Sequence, residues 1–320
     1  MIWLFRDANY PFLKYRKYGY WISGLLTLAT GVSIALHGGL RYSIDFTGGT
    51  LIQLEFDEPV ETQSLRRAVG RIPGLESSEV QRFGDPSDVV IRAQVPEGAE
   101  EDFGDRIESH LRQSPELAGR SFDVVRTEAV GPKIGEELKR DALLAILYSL
   151  GLILIYVAFR FDLKFGVAAI VATAHDVILS LGIFSLVNKE ISLAVVAAFL
   201  TIIGYSLNDT IVVFDRIRED LKLMRREPYE EIVNRALNQT LSRTVLTAGT
   251  TLVVLAFLYF LGGETIHDFA FALIIGILIG TYSSIYIGAP LVVEWKTRIE
   301  DPRAEMAPRK KRKTRAATRG

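Results

Sequence analysis

The chain has 320 residues, 49% of them hydrophobic and 23% charged, and its mean hydropathy of +0.22 is high for a water-soluble protein. Lys and Arg (37) balance Asp and Glu (38), so net charge decides little. The absence of cysteine excludes a disulfide framework, thiol catalysis and thiolate metal sites, and four histidines with no two at helical ligand spacing argue against a histidine metal centre.

A bilayer core about 30 Å thick takes roughly 20 apolar residues at 1.5 Å each. The first stretch of that length is residues 19–39. Arg6, Lys14, Arg16 and Lys17 precede it, but it is too long for a signal-peptide core and lacks a small-residue cleavage site, so it reads as an uncleaved anchor behind a cytoplasmic segment 1–18.

Residues 40–140 follow as a domain large enough to own a core. Strand-like runs at 51–57, 78–83, 88–95 and 122–129 alternate with helical runs at 60–71 and 100–113. Strand, helix, strand, strand, helix, strand is the ferredoxin-like order, an α/β scaffold that implies no activity by itself.

Five more apolar stretches complete a six-span helical membrane protein: 141–159, 165–187, 193–214, 244–262 and 269–293. Arg160 and Lys164 lie between spans two and three, and seven basic residues from Arg216 to Arg243 lie in the loop 215–243 between four and five. Lys189 alone lies between three and four, and the 262–268 connection has neither Lys nor Arg. The positive-inside rule then puts both termini in the cytoplasm and the 40–140 domain across the membrane, in the periplasm. The end of the chain, 294–320, is basic, with ten Lys and Arg against three acids from Lys296 onward, and reads as a solvated, disordered cytoplasmic tail, with contact to anionic lipid or a partner as the alternative.

An ionisable group at the bilayer centre costs at least about 2.5–3.5 kcal/mol on insertion scales, so each one needs a reason. Asp176 falls near the middle of span three with His175 beside it, Asp209 lies just inside the cytoplasmic end of span four, and Arg243 opens span five. Helical spacing puts Thr201, Tyr205, Asn208 and Asp209 on one face, and Arg243, Thr247, Thr250 and Thr251 on another. If the two helices are neighbours, Asp209 and Arg243 are natural partners. One reading is a static ion pair; the other is a carboxyl that gains and loses a proton as the guanidinium approaches and retreats. Rows of small residues, Ala272, Gly276, Gly280, Ser284 and Gly288 in span six and Ala168, Ala172, Asp176 and Ser180 in span three, read as close helix packing, with the acid in the second row as a functional candidate.

The segment from Gly204 to Arg218, Gly-Tyr-Ser-Leu-Asn-Asp-Thr-Ile-Val-Val-Phe-Asp-Arg-Ile-Arg, closely resembles the fourth-span signature of the SecF family, membrane subunits of bacterial protein export. Asp-Phe-Thr-Gly-Gly at Asp45 to Gly49, His175 with Asp176, and the stretch from Ser242 to Thr251 agree with it. The resemblance implies half of an RND-type transporter in the inner membrane, paired with SecD in a twelve-span bundle. It also implies binding to the SecYEG channel and use of the proton-motive force to help move or release a translocating polypeptide at the periplasmic face. It assigns Asp209 and Arg243 to the proton pathway and extends less directly to Asp176; His175 beside that acid is a further candidate, and helical spacing makes Tyr205, Asn208 and Thr247 a supporting polar face. A small-molecule or lipid exporter and a structural scaffold for the channel are the alternatives. No cofactor, metal or enzymatic role is expected, since no phosphate loop, nucleophile elbow or metal cluster appears in the sequence.

Overall fold

The computed structural model describes Phe5 and residues 8–296, except 74, 76–77, 94–102, 118 and 225. Most of the basic tail and the first turn of the helix expected at 100–113 lie outside the described residues. Six helical segments are long and apolar enough to cross a membrane: Phe12–Leu36, Pro132–Arg160, Leu163–Leu186, Leu193–Leu223, Tyr229–Leu261 and Ile266–Trp295. Within the first, a short 3-10 turn leads into α1 (Arg16–Leu36).

After α1 come α2 (Ile44–Thr47), β1 (Gly49–Phe56), α3 (Thr62–Val69), β2 (Glu79–Phe83), β3 (Asp85–Ala93), α4 (Phe103–Gln113) and β4 (Phe122–Val130). The sheet order is β2-β3-β1-β4, antiparallel throughout, which is the ferredoxin-like arrangement the element order implies. Alternation along β1 buries Ile52, Leu54 and Phe56 on one face, with Val89 and Ile91 from β3 and Phe122 from β4. The helices cover that face with Leu65, Ala68 and Val69 of α3 and Ile107 and Leu111 of α4.

The remaining spans are α5 (Pro132–Arg160), α6 (Leu163–Leu186), α7 (Leu193–Leu223), α8 (Tyr229–Leu261) and α9 (Glu264–Ser283), which runs through a π-helical turn, Ser284–Gly288, into α10 (Ala289–Trp295). Three helices extend well beyond the apolar stretches that announced them, α7 running past its expected end at 214 to Leu223. α5 starts at Pro132, where a missing N–H costs nothing, and α8 starts at Tyr229 with Glu230 and Glu231 facing its positive end. The expected 215–243 loop is therefore mostly helix, and the joint between α7 and α8 is residues 224–228. Helix outside a bilayer needs no apolar run, so hydropathy does not register it.

α6, α7 and the α9–α10 span form the interior of the bundle, while α1, α5 and α8 are mostly exposed. Small residues allow the close approach. A Cβ on Gly276 of α9 would run into the side chain of Ile202 on α7, and one on Gly182 of α6 would run into Thr30 of α1. Ala168, Ala172, Asp176 and Ser180 on α6 are all buried.

The segment between α1 and β1 ties the domain to the bundle. Ser43 N-caps α2, and Gly48 ends it at φ +72°, ψ 167°, a region open essentially to glycine alone. The turn rests on the start of α5, where a Cβ on Gly48 would lie 2.7 Å from Pro132 Cα and one on Gly135 would lie 3.0 Å from the backbone of Phe46. Asp45 Oδ2 accepts the N–H of Leu193 at 2.9 Å, at the first turn of α7. A short parallel bridge adds Ser43 N–H to Ile191 O at 3.0 Å and Ile191 N–H to Arg41 O at 2.8 Å. Beside it, Glu190 pairs with Arg92 of β3 and, at 3.0 Å, with Arg41, which also meets Glu79 of β2 at 2.5 Å. Burial pushes the Glu190 carboxyl above the usual carboxylate range, against the opposing pull of Arg92 and Arg41.

Candidate functional site

Asp176 and Asp209 lie between the membrane-spanning helices, and hydroxyl groups hold both. Asp176 on α6 is completely buried. Its Oδ2 accepts Ser206 Oγ of α7 at 2.5 Å and Ser283 Oγ of α9 at 2.8 Å, while His175 Nδ1 lies 3.0 Å from Oδ1. Three donors can thus reach the acid, which is what a buried carboxylate needs. The other ring nitrogen, His175 Nε2, is buried and has no hydrogen-bond partner among the described residues.

Asp209 lies on α7, three residues past Ser206. Its Oδ1 accepts Thr244 Oγ1 of α8 at 2.6 Å, and its Oδ2 accepts Ser284 Oγ of the π-helical turn at 2.6 Å. Short hydroxyl bonds to a charged oxygen are about twice as strong as neutral ones, so these two contacts favour the ionised form. Removing the group from water favours the neutral form.

The ion pair expected between Asp209 and Arg243 is not formed. Both residues stand where α7 and α8 pack together, but Arg243 is exposed and lines an open cleft of about 690 Å³ with Asn208, Asp215, Arg216, Gln239 and Thr240. The guanidinium remains within electrostatic reach of Asp209 without touching it. The reason is geometric: Thr244, the next residue along α8, takes the position facing Asp209, and helical rotation turns Arg243 outward. Of the supporting face, Tyr205 approaches Thr251 at 3.5 Å, whereas Asn208 and Thr247 are exposed. The result is a polar stripe along the outer surface of α7 and α8.

Sequence reasoning placed Asp176, His175 and Asp209 but missed the hydroxyls that hold them. Ser206 stands one helical turn before Asp209, which is a usable signal. Ser284 belongs to a row of small residues explained by packing alone, and Ser283 lies one position outside that row. Thr244 is masked by its conspicuous neighbour Arg243. Among the described residues there is no group of three or more His, Cys, Asp or Glu that could hold a metal ion.

Comparison with known proteins fits this arrangement. Residues 111–298 match the family described as protein export membrane protein SecD/SecF, C-terminal, and residues 35–60 match the SecD/SecF GG motif, which spans the Gly48 turn. Protein translocase subunit SecF of Desulfurispirillum indicum is 45% identical over 91% of this chain and 93% of its own length. SecF of Rhodothermus marinus is 44% identical over 92% and 96%. The crystal structure of SecDF, a translocon-associated membrane protein from Thermus thermophilus, superposes with a TM-score of 0.81 at 43% identity, covering 93% of this chain and 40% of the fused chain. A second SecDF crystal structure, in a super-membrane-facing form, gives a TM-score of 0.69 at 44% identity over 96% of this chain and 41% of that one. Six membrane-length helices, the α/β domain and these matches together make the chain a multi-pass membrane protein belonging to the SecD/SecF family of protein export membrane proteins.

Proposed function

We propose that this subunit of the protein export pathway uses the proton-motive force to promote movement or release of polypeptide at the periplasmic face, with Asp209 as the proton-carrying group. The observation that carries the reading is the setting of Asp209: a carboxylate between membrane-spanning helices, held by Thr244 and Ser284, with Arg243 nearby in a cleft but not paired with it. Such a group can exchange a proton, because the guanidinium is free to approach the charged form and leave the neutral one. A charge crossing 100 mV releases about 2.3 kcal/mol, and each pH unit of gradient adds about 1.4 kcal/mol, enough for a modest conformational step.

The charge distribution of the connections supports both termini in the cytoplasm and the α/β domain in the periplasm, and membership of the export family supports the inner membrane. The cleft around Arg243 then opens to the cytoplasm, while His175 and Asp176 form a deeper station. The exposed stripe of Asn208, Arg243 and Thr247 would be costly against lipid, which supports a second six-span half of the SecD type packed there. The fused SecDF relatives support that partnership, and the description of one of them as translocon-associated supports action of the pair on a translocating polypeptide at the SecYEG channel. The complete hydrogen bonding of Asp176 favours a second reading, a scaffold whose buried polar groups serve assembly alone. Asp209→Asn and Arg243→Met decide between the two. Each is expected to abolish proton-dependent export while the protein still inserts and binds its partners; normal export in both leaves only the scaffold.

A further inference from the structure

Consecutive hydroxyls on one helical turn serve the two carboxylates. Ser283 Oγ meets Asp176 Oδ2 at 2.8 Å and Ser284 Oγ meets Asp209 Oδ2 at 2.6 Å. Each hydroxyl also has a backbone acceptor one turn back, Gly280 O at 3.2 Å for Ser283 and Thr281 O at 3.1 Å for Ser284. A hydroxyl carries one proton and so donates to one acceptor at a time. Both serines are completely buried, so water does not offer a third choice.

We propose that Ser283 and Ser284 are positioning residues that tie the state of Asp209 to that of Asp176, each hydroxyl turning between a carboxylate and a backbone carbonyl. The inference rests on the reading that Asp209 gains and loses a proton. While Asp209 is charged, Ser284 donates to it. Once protonated, Asp209 becomes a donor itself, its O–H points at Ser284 Oγ, and the Ser284 hydrogen turns to Thr281 O. No proton passes through the serine; only the direction of the bond reverses.

The backbone supplies the link to the other acid. Gly280 O accepts the Ser284 N–H as well as lying within reach of the Ser283 hydroxyl, so movement of Ser284 alters the alternative open to Ser283. The chain is also compliant here. α9 gives way to the π-helical turn, where the Ala289 N–H reaches back five residues to Ser284 O, and such turns recur where helices must adjust. Gly280 packs closely, with a Cβ there 3.2 Å from Ser206 Cβ and 3.6 Å from Asp176 Oδ2, so displacement of the turn is felt directly at the second carboxylate. Ser206, its remaining serine donor, lies one turn from Asp209 on α7.

Infrared difference spectroscopy on the full chain with its partners in native-lipid membranes tests this, with the two carboxyl bands assigned by Asp209→Asn and Asp176→Asn. Ser283→Ala, which removes a hydroxyl that touches Asp176 but not Asp209, is expected to shift the carboxyl band of Asp209, and Ser283→Thr to restore it. A Ser283→Ala protein whose Asp209 band is unchanged overturns the coupling while leaving proton exchange at Asp209 standing. A wild-type Asp209 band that never responds to pH overturns the underlying reading and the coupling with it. Should Ser283→Ala fail to accumulate, Ser283→Cys, nearly the same size and a weaker donor, carries the same expectation.

Discussion

The carboxylate of Asp45 accepts the backbone N–H of Leu193 at 2.9 Å, fastening the turn after the first span to the first turn of α7, the helix that carries Asp209. An acid at a helix N-terminus satisfies an orphan donor and complements the dipole. Asp45→Ala is expected to destabilise the bundle by about 0.5–2 kcal/mol, the usual worth of an N-terminal side-chain cap, with a smaller loss for Asp45→Asn. Thermal unfolding in detergent measures both.

Gly48 offers less tolerance. Its φ of +72° with ψ 167° is closed to other residues, and a Cβ would sit 2.7 Å from Pro132 Cα and 2.9 Å from Pro132 N, backbone atoms that cannot swing away. Gly48→Ala is expected to cost at least about 2 kcal/mol, since backbone strain and a clash add. Faster proteolysis at the junction between the α/β domain and the spans would report the loosened joint.

Glu190 makes the junction between domain and bundle sensitive to pH. Its carboxyl titrates above the ordinary carboxylate range because burial outweighs Arg92 and Arg41. The folded form therefore holds a proton that the unfolded chain has already released, so the stability Glu190 contributes is fully present below the unfolded value and is lost as pH rises through the folded value. Relative to Glu190→Gln, the wild type should lose stability across that window. Melting curves taken from about pH 4 to pH 7 read the difference, since the unfolded reference lies near 4.3. Parallel pH profiles would contradict the assignment.

The close approach of α7 and α9 gives another handle. Gly276 has no room for a side chain because Ile202 fills the space, so Gly276→Val must push α9 away and carry Ser283 and Ser284 with it. Export is expected to fall several-fold while the α/β domain keeps its own core, since that core contains no residue of either helix. Unchanged export would show that the hydroxyls at the two acids do not matter.

The spans and the strand order were legible because both rest on strong periodic patterns. Residues 52–57 alternate apolar and polar, and the structure finds β1 at Gly49–Phe56; the apolar run at 193–214 lies within α7. The polar ends of α5, α7 and α8 were not legible, since a helix with one face in water carries no continuous apolar run. Asp-Phe-Thr-Gly-Gly reads locally as a turn, and its real work, fastening α5 and α7, depends on Pro132 and Leu193, which are distant in the chain. The pairing of Asp209 with Arg243 was a fair expectation from charge alone. It failed because one helical step decides whether Thr244 or Arg243 faces the acid, and spacing without a known neighbour cannot fix that rotation.

The central claim is that Asp209 changes its ionisation as the subunit works. A pH titration of its carboxyl infrared band in membranes, with Asp209→Asn as the blank, addresses this most directly. The account predicts a protonated-carboxyl band that appears on acidification, disappears on alkalinisation and is lost in the variant. A carboxyl that keeps one ionisation state throughout, while export continues, would contradict it.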